Sequence, residues 1–133
     1  MKYIRVTNPD ISLHLMPWYI ADDETEIEVG MRLNDRMTDE PDDTYVLLAE
    51  DKGYLKAMLI GVLDGENLLV WQFKKTKDMN TPRQMEKKMY DWARKKGAIR
   101  IVLGSKDKRL RRLYRRKYGF TQTKDAYTME RAL

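Results

Sequence analysis

The stretch Trp71–Phe120, WQFKKTKDMNTPRQMEKKMYDWARKKGAIRIVLGSKDKRLRRLYRRKYGF, decides the fold, because it predicts a strand, a helix, a second strand and a second helix. At its centre, Thr81 is a good N-cap and Pro82 occupies the first helical position, where a missing N–H costs nothing. Gln84, three residues after the cap, completes a capping box. Gly97 is placed to end this helix.

Apolar residues of this helix recur at a single helical spacing. Met85, Met89 and Ala93 fall at i, i+4 and i+8, with Trp92 at i+7, which predicts one buried face. The next segment, Ile99–Leu103, is a strand that the chain reaches through a helical crossover. It should therefore lie parallel to the strand before the helix, with a right-handed connection.

The residues before this stretch predict an antiparallel meander. Its strands are Tyr45–Glu50, Tyr54–Leu63 and Glu66–Lys74. Asp64-Gly65, between the last two strands, is a strong signal for a two-residue hairpin.

The residues after Leu103 predict a helix from about Asp107 to Tyr118. Its spacing places four residues on an inner face: Leu110, Leu113, Tyr114 and Tyr118. Gly119 is placed to terminate it. Phe120–Thr123 and Tyr127–Arg131 then predict a final hairpin.

The N-terminal third is harder to interpret. Residues 3–6 predict a short strand, and an apolar stripe predicts a helix, through Ile11, Leu15, Trp18 and Tyr19. We favour a second helix over residues 23–37, although Ile27, Val29, Met31 and Leu33 also alternate like a strand. The acidic run Asp39–Asp43 predicts a loop.

Composition excludes several classes of protein. The chain has 133 residues, of which 42% are hydrophobic and 35% charged, as expected for one globular domain spanning residues 1–133. It has no cysteine, so thiolate chemistry is excluded and a cytoplasmic protein is the natural interpretation. His14 is the only histidine, which makes a protein metal site improbable. The longest apolar run, Ala57–Leu63, is too short to span a bilayer, and no signal peptide opens the chain.

Charge is divided unevenly along the chain. Residues 1–66 carry 6 Lys/Arg and 15 Asp/Glu, a balance of 6 − 15 = −9, whereas residues 67–133 carry 20 and 6, a balance of 20 − 6 = +14. Such asymmetry favours an anionic partner for the basic half. Two differently solvated faces, or head-to-tail contacts between copies, explain it equally well.

The order of elements and three local signals resemble the GNAT acetyltransferase family. The signals are Trp92-Ala93-Arg94-Lys95-Lys96-Gly97, the strand after it, and the helix that ends in Tyr118-Gly119-Phe120. The resemblance implies a mixed α+β (α/β) fold, with a central, mostly antiparallel mixed sheet of about seven strands flanked by about four helices. It also implies transfer of an acyl group from acyl-CoA, with acetyl-CoA as the donor, to an amine acceptor.

The resemblance implies a cofactor site where the sheet opens after the strand Leu68–Lys74. The pantetheine arm is expected to pair with the backbone around Gln72 and Phe73. The pyrophosphate is expected at the N-terminus of the Thr81–Lys96 helix, where free N–H groups and the helix dipole attract anions. The residues expected to bind the cofactor there are Lys77, Asn80, Thr81 and Arg83.

The sequence departs from the family pattern in this loop and on the last helix. Pro82 stands where a glycine is usual and cannot donate an N–H. The family's usual acid, a tyrosine four residues before the Gly of Gly-Phe, is replaced by Arg115, and Tyr114 lies one residue earlier. We name Tyr114 as the candidate acid, with a packed core tyrosine as the alternative. Glu66 is the candidate base, with Glu50 as a second choice.

Two other functions stay open. The departures favour a non-catalytic GNAT-fold module for assembly or regulation, with a protein partner or a second copy of the chain. Compact lysine-rich relatives of this kind occur in phage genomes, which suggests a phage or virion role. The third hypothesis is weak, non-specific nucleic-acid binding through the basic helix at residues 106–117.

Overall fold

The structure, a computed structural model, describes residues 1–8, 24–76, 83–104, 108–125 and 127–133. Of residues 24–30 and of Gln72 it describes only the backbone. The helix predicted around Ile11–Tyr19 lies outside the described residues, as does His14.

The elements follow the predicted order. The strands are β1 (Lys2–Val6), β2 (Thr44–Asp51), β3 (Tyr54–Asp64), β4 (Asn67–Lys75), β5 (Arg100–Gly104), β6 (Thr121–Gln122) and β7 (Thr128–Ala132). The helices are α1 (Glu24–Asp39), α2 (Arg83–Lys95) and α3 (Lys108–Lys117). Each of these elements begins and ends within about two residues of the prediction, and the helical alternative for residues 23–37 is confirmed.

One short element was not predicted. Pro41–Asp43 forms a single 3-10 turn rather than an irregular loop. Proline near its start fixes the backbone dihedral angle that such a turn needs. The N–H of Thr44 donates to the carbonyl of Pro41 and so closes the turn onto β2.

The seven strands form one sheet in the order β1-β2-β3-β4-β5-β7-β6. Only the contact between β4 and β5 is parallel, and the other neighbours are antiparallel. This is the mixed, mostly antiparallel sheet that the sequence predicts.

Alternation along the strands sends side chains to both faces of the sheet. One face packs against α2 and includes Leu59, Leu68 and Ile101, all essentially buried. The other face packs against α1, where Leu33 and Met37 lie against Val46, Met58 and Ile60. The acidic helix and the basic helices therefore cover opposite faces of the sheet.

Two local features position α2 on the sheet. Its buried residues are Met85, Met89 and Ala93, as the helical spacing predicts. At its end, the N–H of Ala98 donates to the carbonyl of Ala93 at 3.0 Å, and Gly97 has a φ of +96°. This is a Schellman ending, which glycine adopts without a steric penalty.

The predicted inner face of α3 is wrong in part. Leu110 and Leu113 are each 42% exposed, whereas Arg111 is only 9% exposed. Tyr114 and Tyr118 do pack against the core, as predicted. Arg111 replaces the leucines because its guanidinium packs over the ring of Tyr127, 5.3 Å from the ring centroid. A stem of methylenes and a planar head allow an arginine to be buried in this way.

Candidate active site

The candidate site is a gap between β4 and β5. These strands pair only where Asn67–Leu69 meet Arg100–Val102. β4 then continues to Lys75 without pairing with β5. β5 itself continues to Gly104, paired with β7 on its other side. The edge of β4 over residues 70–75 therefore faces the gap with backbone groups that β5 does not use.

A bulge in β4 marks the point where the strands part. Val70 pairs with Gly61 and Gln72 pairs with Ile60, so Trp71 is an extra residue in the ladder with β3. A bulge bends its strand and increases the local twist. At this position it turns the rest of β4 away from β5, and an extended ligand can then lie along the free edge.

α2 begins after the open end of β4. Arg83, its first residue, is exposed. The first turn of a helix has backbone N–H groups without helical partners and the positive end of the dipole. The end of the gap reached by the chain after β4 therefore suits an anion.

A half-buried polar cluster lies behind this first turn, on the packed side of α2 and α3. It joins Glu86 and Tyr90 of α2, Tyr114 of α3 and Arg131 of β7. The Arg131 guanidinium lies 5.7 Å from the ring centroid of Tyr90, and its Nη1 donates to the carbonyl of Tyr118 at 3.0 Å. The Arg131 guanidinium lies 4.9 Å from the ring centroid of Phe120. The cluster therefore ties α2, α3 and β7 together.

Burial controls the ionisation of this cluster. It raises the pKa of Glu86, against the opposing effects of the positive charges of Arg131 and Arg83. Burial, together with the charge of Glu86, raises the pKa of Tyr90 to about 12. The pKa of Tyr114 is also raised, first by burial and then by Glu86 and Tyr118. The two tyrosines therefore keep their protons at neutral pH.

Tyr114 occupies a defined position within this cluster. Its ring packs edge-on against Phe120 at 5.7 Å between centroids and lies 6.1 Å from the ring of Tyr118. The side chain is half-buried rather than enclosed. Tyr114 is thus a partly buried, packed aromatic residue with a protonated hydroxyl at neutral pH.

The structure brings only some of the predicted residues together. The backbone of Gln72 and Phe73 lies on the free edge of β4, and Arg83 begins α2. Lys77, Asn80 and Thr81 lie outside the described residues, as does Pro82. The predicted capping partner, Gln84, accepts a hydrogen bond at Oε1 from the Tyr3 hydroxyl at 3.0 Å.

The two candidate bases lie elsewhere. Glu66 is exposed in the turn before β4, and its carbonyl accepts from the N–H of Ile99 at 2.8 Å. This is the end at which β4 and β5 are paired, so the structure does not bring Glu66 to the gap. Glu50 lies near the end of β2, opposite Lys2. The role of either carboxylate stays a prediction.

Sequence reasoning missed Glu86, Tyr90 and Arg131. Glu86 and Tyr90 are four residues apart, which places both on one side of α2. That spacing was the available signal. The involvement of Arg131 depends on the register of β7 beside β5, which pairs it with Ile101.

The described residues hold neither a metal-binding cluster nor a membrane-spanning helix. No group of three or more His, Cys, Asp or Glu side chains there could hold a metal ion. In the same part of the chain, no helix combines the length and apolarity that crossing a bilayer requires.

Comparison with known proteins gives likeness in structure alone. No protein-family profile and no curated protein matches the sequence. A Desulfovibrio desulfuricans protein assigned to the GNAT acetyltransferases superimposes with a TM-score of 0.74 at 12% identity, covering 98% of both chains. The PaiA N-acetyltransferase of Thermoplasma acidophilum, solved in complex with coenzyme A, gives 0.70 at 14% identity and covers 100% of both chains.

A third solved structure agrees with these two. The GNAT-family acetyltransferase of Streptococcus pneumoniae gives a TM-score of 0.62 at 16% identity, covering 99% of this chain and 100% of that one. The predicted resemblance is confirmed at the level of the fold. With the bulge at Trp71 and the parting of β4 from β5, these likenesses show that the chain adopts the fold of the GNAT acetyltransferases.

Proposed function

We propose that this protein is an N-acyltransferase that uses acyl-CoA, with acetyl-CoA as the donor, and an amine as the acceptor. The observation that carries the proposal is the parting of β4 from β5 beyond Leu69, next to the bulge at Trp71. It leaves a free strand edge that leads toward a helix N-terminus. The likeness to a GNAT N-acetyltransferase solved with coenzyme A supports the same ligand.

The residues around the gap fit an extended amide-bearing chain that ends in phosphates. The backbone at Gln72 and Phe73 would exchange hydrogen bonds with the amides of the pantetheine arm, as a neighbouring strand would. Arg83 and the first turn of α2 would face the pyrophosphate. Lys77, Asn80 and Thr81 would complete the phosphate site from the preceding segment.

The bound thioester would supply an activated acyl group. The amine nitrogen forms the new amide bond, the carbon–sulfur bond breaks, and one proton must pass from nitrogen to sulfur overall. Tyr114 would act at the sulfur, where the proton is delivered. A tyrosine hydroxyl is protonated at neutral pH even at its ordinary pKa, which burial raises further here, so that it can donate to the departing sulfur.

The base that receives the proton from the amine is the least constrained part of the proposal. Glu66 and Glu50 lie away from the gap, as described above. Either would act through water, or the amine would reach the site already neutral. The pH dependence of acyl transfer in Glu66→Gln and in Glu50→Gln, compared with that of the wild type, would identify the base.

Thermal unfolding with coenzyme A tests the binding step. At a ligand concentration of 100 times Kd the protein gains about 2.7 kcal/mol, which corresponds to a rise in Tm of about 10 °C for a chain of this size. Arg83→Gln should reduce the rise. Lys95→Gln, an exposed position in the last turn of α2, should not. Absence of any shift at several millimolar coenzyme A would refute the proposal.

A second assay separates an enzyme from a non-catalytic module of the same fold. Acetyl-CoA and a panel of polyamines, amino acids and peptides are incubated with the protein, and release of free thiol is followed. Turnover with any amine supports the proposal. Binding of coenzyme A without turnover on the panel would favour the non-catalytic alternative.

A further inference from the structure

A second candidate site, which is strongly basic, lies between α3 and the turn that joins β6 to β7. A solvent-open cavity of about 440 Å³ separates this helix from the turn between β6 and β7. Its lining holds five positive side chains, with Gln122 and Thr123 as the remaining residues: Lys108, Arg111, Arg112, Arg115 and Lys124. Among the residues that the structure describes, no acidic side chain lines it.

Most of these charges lack a counter-charge. Within the described part of the chain, Lys108, Arg112, Arg115 and Lys124 make no hydrogen bond and no ion pair. Among the described residues, no ion pair with a carboxylate offsets the mutual repulsion of these four side chains. A bound anion would relieve that repulsion, and it would do so without displacing an internal partner of these four side chains.

The spacing along α3 makes the cavity elongated. The four helical cations stand at i, i+3, i+4 and i+7, so they form one stripe. Seven residues of helix rise about 10 Å, which is longer than a single phosphate group. Three of the four are arginines, whose planar guanidinium matches phosphate oxygens two at a time.

The cavity is separate from the gap between β4 and β5. Its far wall belongs to the β6–β7 hairpin, and β5 stands between that hairpin and β4 in the sheet order. The cavity residues are also distinct from Arg83 and from the backbone of β4. A ligand here would therefore contact residues other than those proposed to bind coenzyme A.

From these observations we infer that the cavity binds an anion with two or more linked phosphates. The same chemistry is present in a free oligophosphate and in the backbone of a nucleic-acid strand. This inference does not depend on acyltransferase activity. It rests on the convergence of five cations around one cavity, and on the length of the cationic stripe on α3, which exceeds one phosphate group.

The test uses the whole protein and two probes: inorganic tripolyphosphate and a fluorescent 12-nucleotide oligothymidylate. The test variant is Arg112→Gln/Arg115→Gln, and Lys95→Gln/Lys96→Gln is its control. Both remove two positive charges from exposed positions. Lys124→Gln, on the opposite wall, probes the same cavity without altering α3 and serves if the helix variant folds poorly.

We expect the cavity variants to bind a probe at least tenfold more weakly, while the control stays within twofold of the wild type. If the oligothymidylate binds, loss of two phosphate contacts should reduce the slope of log K against log salt by about 1.4. Binding of tripolyphosphate alone would identify a small oligophosphate as the ligand. Binding of the oligonucleotide without competition by tripolyphosphate would identify a nucleic-acid strand.

Three results would overturn the inference. The first is that neither probe binds the wild type. The second is that the control variant binds as weakly as the cavity variants, which would indicate attraction by diffuse charge. In the third, coenzyme A binding falls in the cavity variants as steeply as probe binding, which would make the cavity part of the cofactor site.

Discussion

The two halves of β4 differ although they belong to one strand. Asn67–Leu69 is paired with β3 on one side and with β5 on the other, and Leu68 is fully buried. Among the described strands, residues 70–75 pair with β3 and not with β5. The first half joins the two parts of the sheet, and the second half is the edge that the proposed function assigns to a ligand. The bulge at Trp71 lies close to the boundary between these two halves of the nine-residue strand.

The largest effect is expected in the paired half. Leu68→Ala should lower the free energy of unfolding by about 2–5 kcal/mol, because it leaves a cavity in the core. Leu69→Ala is the matched control, since its side chain is only partly buried and should cost less. Urea denaturation measures both. Equal losses would mean that the complete burial of Leu68 does not decide its contribution to stability.

Loss of the Tyr114 hydroxyl should reduce activity rather than stability. Tyr114→Phe keeps the ring against Phe120 but removes the hydroxyl, so kcat should fall by about a hundredfold or more with little change in Tm. Tyr118→Phe, on the same helix, is the control and should retain activity. If the two variants behave alike in steady-state kinetics, Tyr114 serves only in packing.

Gly61 connects the bulge to α2. A Cβ at this position would lie 2.7 Å from Sδ of Met89 and 3.0 Å from Cδ1 of Leu68. Gly61→Ala should therefore cost roughly 1 kcal/mol, at the low end for overpacking because both neighbours are ends of side chains that can shift. Gly104→Ala, whose nearest contact is Tyr127 O at 3.5 Å, should cost less. Denaturant midpoints that coincide for the two variants would contradict this.

The smallest effect concerns Glu86. Burial raises its pKa in the folded protein, so its neutral form fits the fold better and stability falls as pH rises from below about 4.5 through the raised value. Glu86→Gln imitates the neutral form. Its Tm should equal or exceed that of the wild type at pH 7, and the difference should vanish near pH 4. A lower Tm at pH 7 would show that the attraction between Glu86 and Arg131 outweighs burial.

The sequence predicts the elements well because their signals are local. Apolar spacing in α2, the glycine at its end and the Asp64-Gly65 turn each act within a few residues of the chain. The site was less predictable because it depends on strand register. The bulge at Trp71 exists only through pairing with β3, and Arg131 reaches α2 only because β7 pairs with β5. The burial of Arg111 was not predicted, because helical periodicity assigns apolar residues to the inner face of a helix.

Amide hydrogen exchange with and without coenzyme A tests the contrast between the two halves of β4 most directly. The account predicts slower exchange on binding in residues 70–75 and in the first turn of α2 from Arg83, with little change at Asn67–Leu69. Saturating coenzyme A that leaves residues 70–75 unchanged, or protects only α3 and the β6–β7 turn, would contradict it.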